Sequence, residues 1–76
     1  MNRIRRKALD EIQEQLETLK DQLDALKDEE EEYRDNMPEN LQGSERYEKS
    51  DEACDNLDEA VSNLEDAISG IESAIE

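Results

Sequence analysis

The most regular chemical feature of this sequence is a row of carboxylates in its first half. Residues three and four apart on an α-helix are neighbours, so acids at these spacings share one face. Like charges placed this way destabilise a helix, and a sequence indifferent to the row would mix in lysines. The row is therefore the feature best suited to binding a basic partner. We call it the acidic stripe, and its eight members are Asp10, Glu14, Glu17, Asp21, Asp24, Asp28, Glu31 and Asp35.

Residues that could support catalysis, metal binding or cofactor binding are scarce. The chain has no histidine, a single cysteine at Cys54 and no glycine-rich phosphate loop. Acid–base chemistry near neutral pH and a zinc site therefore lack their usual residues. The acids at 28–32 supply oxygens, but a helix spreads them around its circumference, and the calcium-loop pattern is missing. We predict no enzyme, no metal site and no cofactor.

Length and composition indicate one small, acidic domain. The chain has 76 residues and a net charge of −15. High charge with low hydrophobicity is typical of disorder, but here the acids alternate with a regular apolar pattern along the whole length. A lone cysteine, no apolar stretch of membrane length and no secretory signal favour a cytoplasmic protein.

Two apolar rows, separated by one Pro/Gly segment, must position these acids. Each alternates spacings of three and four residues, which is the coiled-coil period. Pro38 cannot continue a helix and Ser44 is a good N-cap, so the break lies between them. We predict a single all-α domain over 1–76, an antiparallel two-helix coiled-coil hairpin. It has a first helix (α1) over about 3–35, a loop over about 36–44 with a short helical turn, and a second helix (α2) over about 45–75. The rows are Leu9, Ile12, Leu16, Leu19, Leu23, Leu26, Glu30, Tyr33 and Met37, then Tyr47, Ser50, Cys54, Leu57, Val61, Leu64, Ile68, Ile71 and Ile75.

One register makes the two rows match. If facing residue numbers sum to 80, the apolar residues pair, Glu30 meets Ser50, and Tyr33 meets Tyr47. With Leu9 and Tyr47 as heptad a positions, the same register brings a mostly basic e row against an acidic one, which selects antiparallel pairing. We therefore predict pairing within one chain, with pairing between chains as the alternative. The e rows are Arg6, Gln13, Lys20, Lys27 and Arg34 in α1, and Asp51, Asp58, Glu65 and Glu72 in α2.

The other flank of the hairpin is small and nearly uncharged. The g positions of α2 from 53 to 74 are all alanine, and the neighbouring c positions from 56 to 70 are short and neutral. Because small residues permit close helix approach, we predict a homodimer that forms a four-helix bundle through this flank. The alternative is that the alanines serve helix propensity alone. The predicted dimer face comprises Ala53, Ala60, Ala67, Ala74, Asn56, Asn63, Gly70, Thr18 and Ala25.

The loop segment and the basic start of the chain resemble a known group of proteins. Residues 33–48 read YRDNMPENLQGSERYE, and the start carries Arg5, Arg6 and Lys7. Together they resemble small acidic helical-hairpin proteins of unassigned function from phages and prophages of Gram-positive bacteria. The resemblance implies a phage setting in a bacterial cytoplasm and no particular activity. Phages encode short acidic inhibitors of host nucleases, including anti-CRISPR and anti-restriction proteins, which is an analogy of class.

Two functions are compatible with these patterns. The first is a non-enzymatic inhibitor of a basic, nucleic-acid-binding host protein, which acts by DNA-like charge mimicry through the acidic stripe. The alternative is a structural or adaptor coiled coil that binds itself or a partner helix through the alanine-rich flank, while the acids only provide solubility. Basic residues are few, so we expect no direct binding of nucleic acid, and no membrane partner.

Overall fold

The computed structural model describes residues 1–76 as two long helices joined by a short connection. α1 spans Arg3–Asp35, a single 3₁₀ turn spans Glu39–Leu41, and α2 spans Glu45–Ile75. The prediction of an all-helical chain built from two long helices is confirmed.

Local hydrogen bonds define where the helices begin and end. Asn2 precedes α1, and its side-chain oxygen accepts a hydrogen bond from the backbone N–H of Arg5 at 2.7 Å. Ser44 does the same for α2, accepting from the N–H of Tyr47 at 3.3 Å. Such caps satisfy N–H groups that have no partner within the helix. Pro38 follows the end of α1 and cannot donate a backbone hydrogen bond, so the first helix does not continue into the second.

Four side-chain contacts fix the helices as antiparallel and set their register. Three of them join the predicted e rows, and the fourth is the predicted polar pair between the two apolar rows. The residue numbers of the polar pair sum to 80, as the predicted register requires, and those of each e-row pair sum to 85, so the e rows meet as predicted. They are Gln13 with Glu72 at 2.9 Å, Lys27 with Asp58 at 3.3 Å, Arg34 with Asp51 at 2.9 Å, and Ser50 with Glu30 at 2.5 Å.

The hairpin is a thin rod whose small core lies mainly on α2. Its Cα atoms extend over 59 × 14 × 13 Å. Only five residues are buried, and none of them belongs to α1. Met37 lies in the connection, and the other four, Ser50, Cys54, Val61 and Ile68, follow the inner face of α2. Two helices alone cannot enclose a core on all sides, so most apolar side chains keep one edge in solvent.

The rotation of α1 about its own axis differs from the predicted seam. The d row of α1 was expected to face α2, with Tyr33 opposite Tyr47, yet it is about half exposed. The half-buried rows are the a row and the e row from Gln13 to Arg34. In this orientation the aliphatic stems of Lys27 and Arg34 cover the seam while their charged ends reach Asp58 and Asp51. The exposed fractions in the d row are 46% for Ile12, 53% for Leu19, 57% for Leu26 and 49% for Tyr33.

Candidate functional site

The acidic stripe runs along one side of a continuous helix. Its first and last members are separated by about 38 Å, at about 1.5 Å per residue. Six of the eight carboxylates are exposed, whereas Asp24 and Glu31 are half-buried. The structure therefore brings all eight predicted residues together as one linear array, and every member can be reached from solvent.

Ion pairs within the chain divide the stripe into neutralised and free carboxylates. Asp21 lies 4.0 Å from Lys20, at the outer limit of an ion pair. The two closer contacts are Asp24 with Lys27 at 3.3 Å and Asp35 with Arg34 at 3.0 Å. The five acids without such a partner are Asp10, Glu14, Glu17, Asp28 and Glu31. These five are the groups best placed to attract an external cation.

The cations next to the stripe are held in their charged form. The hydrogen bond to Asp24, followed by that to Asp58, raises the pKa of Lys27. The hydrogen bond to Asp35 raises the pKa of Arg34. The e-row pattern predicts contacts of Lys27 and Arg34 with α2 only, and not these contacts along α1. The signal was present, because Lys27 follows Asp24 by three residues, which makes the two neighbours on one helix.

The two flanks of the hairpin differ in polarity. One flank carries the e-row ion pairs and the acids. Antiparallel pairing brings the g rows of both helices to the other flank. The d row of α1 is next to its own g row, so on this flank it lies beside the g row of α2. We call this flank the apolar face and define it as Ile12, Leu19, Leu26 and Tyr33 of α1 with Ala53, Ala60, Ala67 and Ala74 of α2.

The remaining residues of the predicted dimer face lie along the edges of the apolar face. All five of them are exposed: Thr18, Ala25, Asn56, Asn63 and Gly70. The hydroxyl of Thr18 donates a hydrogen bond to the backbone carbonyl of Glu14 at 3.2 Å, within its own helix. A Cβ atom built at Gly70 would meet nothing within 4 Å, so packing within the hairpin does not require glycine at this position.

A polar layer crosses the seam near the connection. The hydroxyl of Ser50, which is 5% exposed, donates a hydrogen bond to a carboxylate oxygen of Glu30. No buried side-chain oxygen or nitrogen is left without a partner. Cys54 lies one turn further along α2 and is 2% exposed. Burial raises the pKa of its thiol, which therefore stays protonated at neutral pH and serves packing.

The surface offers shallow depressions and no enclosed chamber. One depression beside the polar layer is lined by Glu30, Tyr33, Arg46 and Ser50, among others, and is open to solvent. No three carboxylate or thiol groups come close enough to one another to hold a metal ion. Neither helix contains an apolar stretch that could cross a lipid bilayer.

Comparisons with known protein families, with curated proteins and with solved structures find no match to this chain.

Proposed function

We propose that this protein is a non-enzymatic inhibitor of the anti-CRISPR or anti-restriction class that acts in a bacterial host. It binds a basic, nucleic-acid-binding protein through the acidic stripe of α1. The observation that carries the proposal is the linear, solvent-facing array of carboxylates, five of which have no cation of their own. A partner with a basic cleft gains charge-assisted hydrogen bonds from these groups without breaking contacts of the hairpin.

The charge density of the rod supports mimicry of a nucleic acid. A net charge of −15 over 59 Å gives one negative charge for about every 4 Å. A single nucleic-acid strand within duplex DNA carries one charge for about every 3.4 Å of helix axis. The rod therefore carries negative charges at a spacing similar to that of the phosphates of one strand. Its electric field speeds encounter with a basic cleft at low ionic strength.

The test is capture of a host protein that the hairpin and DNA both bind. Tagged protein is incubated with bacterial lysate at low salt, and retained proteins are eluted with duplex DNA in one sample and with high salt in another. We expect the same DNA-binding protein in both eluates, because raising salt from about 0.1 M to about 1 M shortens the screening length from about 10 Å to about 3 Å. A captured protein that survives both elutions would contradict the mimicry proposal.

Charge-matched variants make the test specific to the stripe. Glu14→Lys with Glu17→Lys reverses two free members of the stripe. Glu11→Lys with Glu32→Lys changes the net charge equally at exposed α1 positions outside it. We expect the stripe variant to bind the captured protein at least about tenfold more weakly than the control variant, since a rim charge turned from attractive to repulsive slows association. Equal binding by the two variants would show that only net charge matters.

The alternative function is a structural or adaptor coiled coil that binds itself or a helix through its alanine-rich flank. The half-exposed d row of α1, from Ile12 to Tyr33, favours it, because these side chains extend that flank across both helices. Salt distinguishes the two functions. Apolar helix packing persists at high salt, whereas charge mimicry does not.

A further inference from the structure

The apolar face leaves large side chains exposed along α1. Its four large side chains on α1 are between 46% and 57% exposed and recur every seven residues. In a coiled-coil hairpin a heptad spacing keeps them on one side of α1, next to the row of alanines on α2. Single exposed apolar residues are ordinary, but a continuous apolar line along a whole helix marks an interaction surface.

We propose that the apolar face binds a second copy of this chain, face to face, and forms an antiparallel-paired four-helix bundle. This proposal is independent of the charge-mimicry function, because the acidic stripe lies on the b and f positions of α1, away from the d and g positions. A dimer closed through the apolar face leaves both stripes on its outside.

The exposed area of the chain supports a second copy as the occupant. The hairpin exposes 5765 Å². A compact monomer of 8.8 kDa would expose about 4,800 Å². The excess of about 1,000 Å² per chain is close to the area of about 800 Å² that each partner buries in a specific interface. A second copy on the apolar face would remove an area of this size from water on each chain.

The sizes of the side chains also favour self-association. A twofold axis along the rod places α1 of one copy over α2 of its partner at the same height. The hairpin register then sets Leu19 over Ala60 of the partner subunit and Leu26 over Ala53 of the partner subunit. Large side chains thus meet small ones without a shift along the axis, which is the knobs-into-holes arrangement of helix bundles.

Electrostatics restrict which partner can approach this closely. Each copy carries a net charge of −15, so two copies repel unless their acids point apart. Between Ile12 and Leu26 the d and g rows of α1 are uncharged, and so are the g positions of α2 from Ala53 to Ala74. The apolar face is thus the side of the hairpin on which a second acidic rod can pack at least electrostatic cost.

Sedimentation equilibrium over the micromolar range tests this proposal. We expect the wild-type chain to reach twice its monomer mass of 8.8 kDa. Leu19→Gln with Leu26→Gln should raise the dimer Kd at least about a hundredfold, because the symmetry removes four apolar contacts, and about 1.4 kcal/mol corresponds to a factor of ten. Circular dichroism of this variant should show an intact helical monomer. A wild-type chain that stays monomeric at high micromolar concentration overturns the proposal, whatever else binds the face.

A second variant covers the case in which the leucine variant does not fold. Ala67 is exposed in the hairpin, so Ala67→Gln leaves the monomer intact and obstructs only a helix packed against α2. We expect Ala67→Gln to be a folded monomer. The matched control is Glu59→Gln, an exposed α2 position away from the apolar face, which should remain dimeric. Dimers of unchanged Kd for Ala67→Gln would place the contact elsewhere and overturn the proposal.

Discussion

Ile12 and Ile68 test the rotation of α1 directly, because the register places them opposite each other. They are the same residue type in the same predicted layer, so the sequence pattern alone predicts equal burial. In the structure Ile12 is 46% exposed and Ile68 is 7% exposed. Substitution of each by alanine therefore has the same chemistry and the same gain in helix propensity, and differs only in the area that leaves contact with protein.

The expected costs follow from the buried fractions. Isoleucine exceeds alanine by three carbon atoms, worth about 2.4 kcal/mol when fully buried at about 0.8 kcal/mol each. Scaled by burial, Ile68→Ala loses about 2.2 kcal/mol of transfer free energy and Ile12→Ala about 1.3 kcal/mol. A residual cavity adds to the first, and alanine's higher helix propensity returns about 0.4 kcal/mol to both. Ile68→Ala should therefore lower the free energy of unfolding by about 1 kcal/mol more than Ile12→Ala.

Urea unfolding followed by far-UV circular dichroism measures the difference. Both substitutions are made in the Ala67→Gln variant, in which no second copy covers the apolar face. If the wild-type chain is itself a monomer, this background does not alter the comparison. Equal losses of unfolding free energy would mean that Ile12 is as well buried as Ile68. The d row of α1 would then face α2, which would refute the rotation of α1 seen in the structure. In the wild-type background at high protein concentration, the cost of Ile12→Ala should rise to about that of Ile68→Ala if the apolar face is covered by a second copy.

Further measurements address the polar layer, the e-row pairs and the cysteine. Ser50→Ala removes the hydrogen bond to Glu30 and should lower the free energy of unfolding by about 1 kcal/mol in urea titration; an unchanged value would mean that the polar pair contributes nothing. Lys27→Gln should lower the Tm at low salt and change it little at high salt, because its ion pairs are screened; a loss independent of salt would identify packing of its stem as the main effect. Cys54 should react with iodoacetamide far more slowly in the folded chain than in urea, since the thiol is buried and its pKa is raised; equal rates would show that α2 opens freely. Because that pKa is higher in the folded than in the unfolded chain, the contribution of the neutral thiol to stability is complete below the unfolded thiol pKa of about 8.5 and is lost as the pH rises through the folded pKa. Alkaline urea titration of Cys54→Ala should lack this loss.

The contacts of Lys27 show why a helical sequence pattern is not a complete guide to the candidate site. The e-row rule placed Lys27 against the acidic e row of α2, and the structure contains a contact with one member of that row, Asp58. The same ammonium group also reaches Asp24 on its own helix. A side chain with a long flexible stem can satisfy neighbours on both helices, so the number of free carboxylates in the acidic stripe depends on geometry that spacing does not specify.

The sequence by itself determined the two helices, the break between them and their axial register. The heptad period selects helices, Pro38 and Ser44 place the break, and the single polar interruption in each apolar row aligns Glu30 with Ser50. These features are local or periodic, so they can be read without coordinates. The register also follows, because a shift of one heptad in either direction would place Ser50 opposite an apolar residue, Leu23 or Met37.

Only the tertiary structure decided how far α1 is turned about its own axis, and therefore which of its residues are exposed. The a, d and e rows all lie within the broad stripe that can face a neighbouring helix. Which edge is covered depends on a balance between burying the d row and placing Lys27 and Arg34 across the seam to reach α2. That balance is a sum over contacts from both helices, and no single position in the sequence expresses it. The half-exposed d row, which carries the dimer proposal, is a consequence of that balance.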